Sequence, residues 1–156
     1  MAPASVPTRR LHPPRFLYRI LNPVFKLLLR SPLHRLIGKR LMLLAFTGRR
    51  SGRRYTIPAG YAQVDNVLLL GTSSAWHKNL HGASVGVLLC GQKRAGTSEV
   101  ITDEEGMVEC YEKMLAIAPG YGRAIGVSLA PDGQPNRADV ARARQEGVVA
   151  IRIQLD

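Results

Sequence analysis

The sequence predicts a small antiparallel β-barrel with helices packed on its outside, a mainly β fold of the α+β class. Two observations predict it. Five stretches of extended period follow one another between residues 41 and 102, with short connections between them. After a helical insert the chain closes on Val148–Leu155, where Val149, Ile151, Ile153 and Leu155 alternate with Ala150, Arg152 and Gln154. That is the period of two expected of a strand with one buried face. Long helices do not alternate with the strands, which argues against a doubly wound parallel sheet.

Each element follows from local signals. Residues 1–14 hold four prolines and an adjacent arginine pair and read as a flexible leader. Over residues 15–40, Arg15, Arg19, Asn22, Lys26 and Arg30 form one polar stripe, opposite Leu17, Leu21, Val24 and Leu28. This is the pattern of amphipathic helices, started anew at Asn22-Pro23 and Ser31-Pro32. The apolar stripe has two readings: it packs on the domain core, or it lies in a membrane interface with its cations on anionic headgroups. Strands are expected at 41–47, 55–61, 67–71, 85–90 and 97–102, with Pro58 marking an edge or a bulge. Between them lie the GRRSGRR connection, a turn at 63–66, a loop with a helical turn over 73–82, and a basic turn at 91–96. Asp103 caps a helix from Glu104 to Ala118, and Asn136 caps a second one ending near Gln145. Residues 41–156 therefore read as one globular domain.

Charge is unevenly placed. The chain of 156 residues has 22 Lys+Arg against 11 Asp+Glu, yet residues 1–64 contain no acidic residue at all. An anionic partner is expected to meet that half. The longest uncharged run, Asn79–Gln92, has 14 residues, short of the roughly 20 of a membrane-spanning helix. Cys90 and Cys110 are the two cysteines, too few for a disulfide framework, and the composition reads as cytoplasmic.

Most catalytic constellations fail. GRRSG is neither a nucleophile elbow nor a phosphate loop. His77 and His81 have a helical metal-ligand spacing but no evident third ligand, so no metal site is expected. Nucleic-acid binding is not expected either, since the basic segment has Tyr55 as its only adjacent aromatic residue. Two segments remain. Gly48–Arg54 carries four arginines among Gly48, Ser51 and Gly52. Glycine allows close approach of backbone to an anion, and guanidinium forks bind phosphate or carboxylate; a solvated hairpin turn is the plain alternative. Gly71–Leu80 (GTSSAWHKNL) sets the only tryptophan among small hydroxyl residues. That suits a flat ring with donors at its rim, or a tryptophan anchoring a loop to the core.

Together, TGRRSGRRYTIPAGY (Thr47–Tyr61) and W-x-x-N-L (Trp76, Asn79, Leu80) resemble the deazaflavin-dependent nitroreductase family, also called F(420)H2-dependent quinone reductases, of the split β-barrel superfamily. The resemblance spans roughly residues 33–125. It implies a split β-barrel and coenzyme F(420), a deazaflavin with a phosphate and an anionic polyglutamate tail. It implies that Arg49, Arg50, Ser51, Gly52 and Arg54 hold the phosphate and glutamates. Pro58 and Ala59 would pass along the ring, Thr72 and Ser73 would sit at its polar rim, and Trp76 and Asn79 would fix the loop over it. Tyr121 is the implied residue on the substrate side. The implied reaction is hydride transfer to a quinone, an enone or a nitroaromatic.

The chain departs from the family pattern in three places. The loop before Trp76 is shortened to Ser73, Ser74 and Ala75; Tyr55 stands where the family's last basic hairpin residue falls; Ala118 and Ala124 replace aromatic residues. Two alternatives stand beside the F(420) reading. One is an FMN-binding split-barrel flavoprotein; the other is a non-enzymatic lipid-binding module resting on an anionic membrane through residues 15–37. A homodimer is a further expectation carried by the superfamily.

Overall fold

The structure is a computed structural model, and it describes residues 40–156. The amphipathic helices expected over residues 15–40, and with them the membrane-facing reading of 15–37, lie outside the described residues but for Arg40. Among the described residues no helix is long and apolar enough to cross a membrane.

Seven strands form one antiparallel sheet: β1 (Leu41–Thr47), β2 (Arg54–Gly60), β3 (Ala62–Val64), β4 (Val67–Thr72), β5 (Ala83–Leu89), β6 (Gln92–Ile101) and β7 (Val149–Leu155). Their order is β2-β1-β5-β6-β7-β4-β3. The first and last members of that order are consecutive in the chain, with only Tyr61 between them. One bent strand thus pairs with β1 over its first half and with β4 over its second. The sheet returns on itself as a split barrel, with helices α1 (Glu104–Ile117), α2 (Tyr121–Ile125) and α3 (Arg137–Gln145) outside.

Alternation along the strands makes two cores. Met42, Leu44 and Phe46 of β1, Val85 and Val87 of β5, Leu68 and Leu70 of β4, and Ile151 and Ile153 of β7 fill the barrel. Leu69 and Ala150 point the other way, against Met107, Tyr111 and Met114 of α1 and Val140 and Ala143 of α3. The Tyr111 hydroxyl donates to the carbonyl of Val149 at 3.0 Å, so this fully buried ring leaves no unpaired polar atom. Both expected caps are made. Asp103 accepts from the Gly106 N–H at 2.8 Å, and Asn136 accepts from the N–H groups of Ala138 and Asp139.

The sequence reading needs three corrections. The turn expected over 63–66 shrinks, because β3 occupies Ala62–Val64 and Asp65 turns the chain with φ 53°. The basic turn expected at 91–96 is a strand. Cys90 and Gly91, with φ of 47° and 82°, make a two-residue hairpin turn, so β6 begins at Gln92 and carries Lys93 and Arg94. Two successive residues of positive φ match the right-handed twist of the flanking strands, which is why so short a turn suffices. Finally, α2 was not expected; Pro119-Gly120 ends α1 but a single turn follows at once.

Where β6 crosses β7, a Cβ on Gly96 would lie 2.6 Å from the carbonyl oxygen of Gln154. That atom is ladder backbone and cannot yield without disturbing the β6–β7 pairing. Gly96→Ala is expected to destabilise the protein by about 1–3 kcal/mol, read as a lower urea midpoint; an unchanged midpoint would contradict this packing.

Candidate functional site

The register brings the two motif segments to the same end of the barrel. β1 ends and β2 begins at the paired residues Thr47 and Arg54. β4 ends at Thr72, and β5 starts at Ala83. The GRRSGR hairpin and the tryptophan loop therefore both leave the sheet at this rim.

The hairpin is built on its own small residues. Gly48 donates to the Arg53 carbonyl at 2.7 Å, and Gly52, at φ 67°, donates back to the Gly48 carbonyl at 2.9 Å. A Cβ on Gly48 would lie 2.7 Å from Ser51 Oγ and 2.8 Å from the Tyr55 ring. The first glycine of the motif thus lets the loop fold down onto β2. Ser51 Oγ accepts from the Arg53 N–H at 3.2 Å and shares a 3.4 Å hydrogen bond with the Tyr55 hydroxyl.

The facing loop contains a 3-10 turn, Ala75–Asn79. Leu80 pins it from below, fully buried in the barrel core. Ser98 on β6 holds the same point, donating to the carbonyls of Leu80 and Ala83 at 2.8 and 3.1 Å. Asn79 joins the two segments. Its Nδ2 donates to the Trp76 carbonyl at 3.1 Å, and its Oδ1 accepts from the Arg49 N–H at 3.0 Å. Residues thirty positions apart are thereby held in one geometry.

Between hairpin and loop lies a cleft of about 390 Å³. One wall is aromatic: the Phe46 ring stacks on Tyr55 at 5.7 Å and on Trp76 at 6.2 Å between centroids. The rest is polar and cationic, with Arg49, Arg50, Ser51, Lys78 and Asn79. The ion pairs among the described residues, Lys113–Glu109, Arg137–Glu105, Arg142–Asp139 and Arg152–Glu99, all lie elsewhere. Among the described residues no carboxylate lines this cleft, so its positive potential is uncompensated at close range.

Of the residues singled out in the sequence, Arg49, Arg50, Ser51, Trp76 and Asn79 meet in the cleft. Gly52 is at the hairpin turn, and Thr72 is just before the 3-10 turn, its Oγ1 accepting from the Ser74 N–H at 3.1 Å. Ser73 follows it, exposed. Arg54 does not join this group. It lines a separate groove on the outer face of the sheet. Ala59 is buried in the barrel core, and Pro58 pairs with Leu43, so neither lines the cleft.

Tyr121 is also apart. Its hydroxyl donates to the carbonyl of Gly60 at 2.8 Å, at the far end of β2, about 20 Å along the strand from Arg54. Burial pushes its pKa up to about 12. Tyr121 opens α2, and its hydroxyl ties that helix to the end of β2.

Phe46, Lys78 and Ser98 escaped the sequence reading, and Tyr55 entered it only as the aromatic residue beside the basic hairpin. Phe46 and Tyr55 are register partners just inside the hairpin, and Ser98 is a polar residue at an inward position of a strand. Those two patterns were the available signals. His77 sits in the 3-10 turn with Nδ1 buried and without a hydrogen-bond partner among the described residues. Burial first, then His81 and Lys78, lower its pKa and favour the neutral imidazole. His81 lies beyond the turn and is exposed.

No family model and no curated protein sequence matches the chain. Solved structures do. A FAD-binding protein from Mesorhizobium loti superposes with a TM-score of 0.50 at 17% identity, over 81% of this chain and 90% of that one. A protein ascribed to 5-nitroimidazole antibiotic resistance in Bacteroides thetaiotaomicron gives a TM-score of 0.51 at 14% identity, over 81% and 80%. An F(420)-H2 dependent reductase, FDR-A, gives 0.49 at 13% identity, over 74% and 94%. The chain has the split β-barrel fold.

Asn79→Ala should free the hairpin from the loop. With two neutral hydrogen bonds removed, the expected cost is about 1–3 kcal/mol, with faster hydrogen exchange at the Arg49 amide. Tyr121→Phe should cost about 1 kcal/mol of stability and leave ligand binding at the cleft unchanged; lost binding would place Tyr121 in the site after all.

Proposed function

We propose that this protein is an F(420)-dependent oxidoreductase that passes a hydride from the reduced deazaflavin to an electrophilic acceptor such as a quinone, an enone or a nitroaromatic. The observation that carries the reading is the Asn79 bridge, which joins an arginine hairpin and an aromatic loop around one cleft without a carboxylate. The fold supports it. One protein sharing the fold is described as FAD-binding, another as a 5-nitroimidazole resistance protein, which favours a flavin-like cofactor and redox chemistry.

The residues present fit such a group. Arg49, Arg50 and Lys78 supply cations for a phosphate and a carboxylate-rich tail. Phe46, Tyr55 and Trp76 supply an aromatic wall for a flat ring. Ser51 and Asn79 are the neutral donors and acceptors at the rim, and Ser98 fixes the loop from behind. The cofactor, when bound, supplies the hydride chemistry. The protein's part is to bind the anionic tail, orient the ring against the aromatic wall and exclude water from its face. The number of cations favours F(420) over FMN, whose single phosphate needs fewer partners.

Titration of the purified protein with F(420) and separately with FMN, followed by ring fluorescence, tests this. Saturable F(420) binding is expected, weakened at least about tenfold in Arg49/Arg50→Ala through loss of charge-assisted contacts. Binding of FMN in preference to F(420) would replace the cofactor assignment. Failure to bind either flavin would overturn the oxidoreductase reading.

A further inference from the structure

The turn Ala75–Asn79 holds a titratable side chain that the cleft does not use. His77 stands between Trp76 and Lys78 in the chain, yet it is not among the residues lining the cleft. Its Nδ1 is buried and makes no hydrogen bond among the described residues. A neutral imidazole can leave Nδ1 bare as an unused acceptor. An imidazolium has an N–H on both ring nitrogens, so in this turn it would bury a charged donor without an acceptor. The backbone of the same residue closes the turn at both ends. The His77 N–H donates to the Ser74 carbonyl at 3.2 Å, and the His77 carbonyl accepts from the Leu80 N–H at 3.0 Å. Asn79, which joins the turn to the Arg49 amide, lies between those two bonds. A ring that leaves its place therefore disturbs the segment that carries the bridge.

The surroundings oppose the charged ring. Burial does so most, followed by His81 beyond the turn and Lys78 within it, and together they lower its pKa. A contact with the residue's own backbone acts the other way and is the weakest of these influences. No carboxylate is among them. The other elements that hold the turn bring no negative charge either. β6 contributes the neutral Ser98, and the hairpin contributes the Arg49 amide, with Arg49, Arg50 and Arg53 as its charged groups.

We propose that His77 is an acid-sensitive latch: uptake of a proton drives its ring out of the turn, frees Asn79 from the Arg49 amide and loosens the loop over the cleft. Linkage fixes the direction. The closed turn holds the proton more weakly than the open one, so it is fully favoured above the ordinary histidine value of 6.5 and loses ground as the pH falls below it. A ligand held between hairpin and loop would bind more weakly in acid. The latch does not rest on the identity of that ligand, since it acts in the empty protein.

Trp76 is the only tryptophan of the chain, so its emission reports on the loop in the full-length protein without any ligand. Lowering the pH from about 7.5 to about 5, the range in which histidine titrates, should shift that emission to the red as the ring leaves Phe46, at constant far-UV circular dichroism. Over the same range the protection factor of the Arg49 amide should fall at least about fivefold, through loss of one neutral hydrogen bond. His77→Gln and His77→Phe should each remove both changes, whereas His81→Gln should keep them. In Asn79→Ala the Arg49 amide should be weakly protected at every pH. Emission and protection that ignore pH in the wild type would overturn the proposal, as would a pH dependence that survives in the His77 variants or disappears in His81→Gln. A loss of circular dichroism in step with the emission would overturn it too, since the whole domain and not the turn would then respond to acid.

Discussion

The closure of the sheet through a single bent strand governs the rest of this structure. β2 and β3 are consecutive in the chain, yet they are the two ends of the sheet order. The bend at Gly60–Tyr61 thus converts an open sheet into a split barrel and gives its strands an inside and an outside. Because side chains alternate across a strand, that one closure decides that Leu68 and Ile151 fill the barrel while Leu69 and Ala150 receive the helices. Tyr121 secures the bend from outside by donating to the Gly60 carbonyl.

The same closure brings the β1–β2 hairpin and the β4–β5 connection to a common rim. Short side chains then set the spacing between them. Gly48 lets the hairpin fold onto Tyr55, Ser98 anchors the loop below Leu80, and Asn79 spans the gap with one donor and one acceptor. Because the hydrogen bond comes from the Arg49 backbone, this link does not use the Arg49 side chain. The two faces of the β1–β2 ribbon are chemically different. Tyr55 faces an aromatic cleft, whereas Arg54 faces an apolar trough of small residues.

Charge is divided along similar lines. The ion pairs Lys113–Glu109, Arg137–Glu105 and Arg142–Asp139 all involve α1 or α3, and Arg152–Glu99 joins the neighbouring strands β7 and β6. Among the described residues the hairpin cations have no such neighbours. Positive charge is thus compensated around the helices and, among the described residues, left uncompensated at the hairpin.

The sequence by itself determined the local elements and the identity of the motif residues. Val149–Leu155 alternates cleanly, Asp103 and Asn136 are caps by chemistry alone, and TGRRSG with W-x-x-N-L marked Arg49, Arg50, Ser51, Trp76 and Asn79. These are readings of short range, where backbone propensity and side-chain type suffice. Tertiary structure alone decided the rest. Whether Arg54 joins Arg49 depends on a one-residue difference in register, which sends alternate side chains to opposite faces of a sheet. Cys90 gave no sign that it would take positive φ and turn a basic loop into the start of a strand. Phe46 and Ser98 enter the site only through pairings and contacts between strands distant in sequence. A linear pattern names residues and their periodicity; which face each one shares, and with whom, is fixed by how the sheet closes.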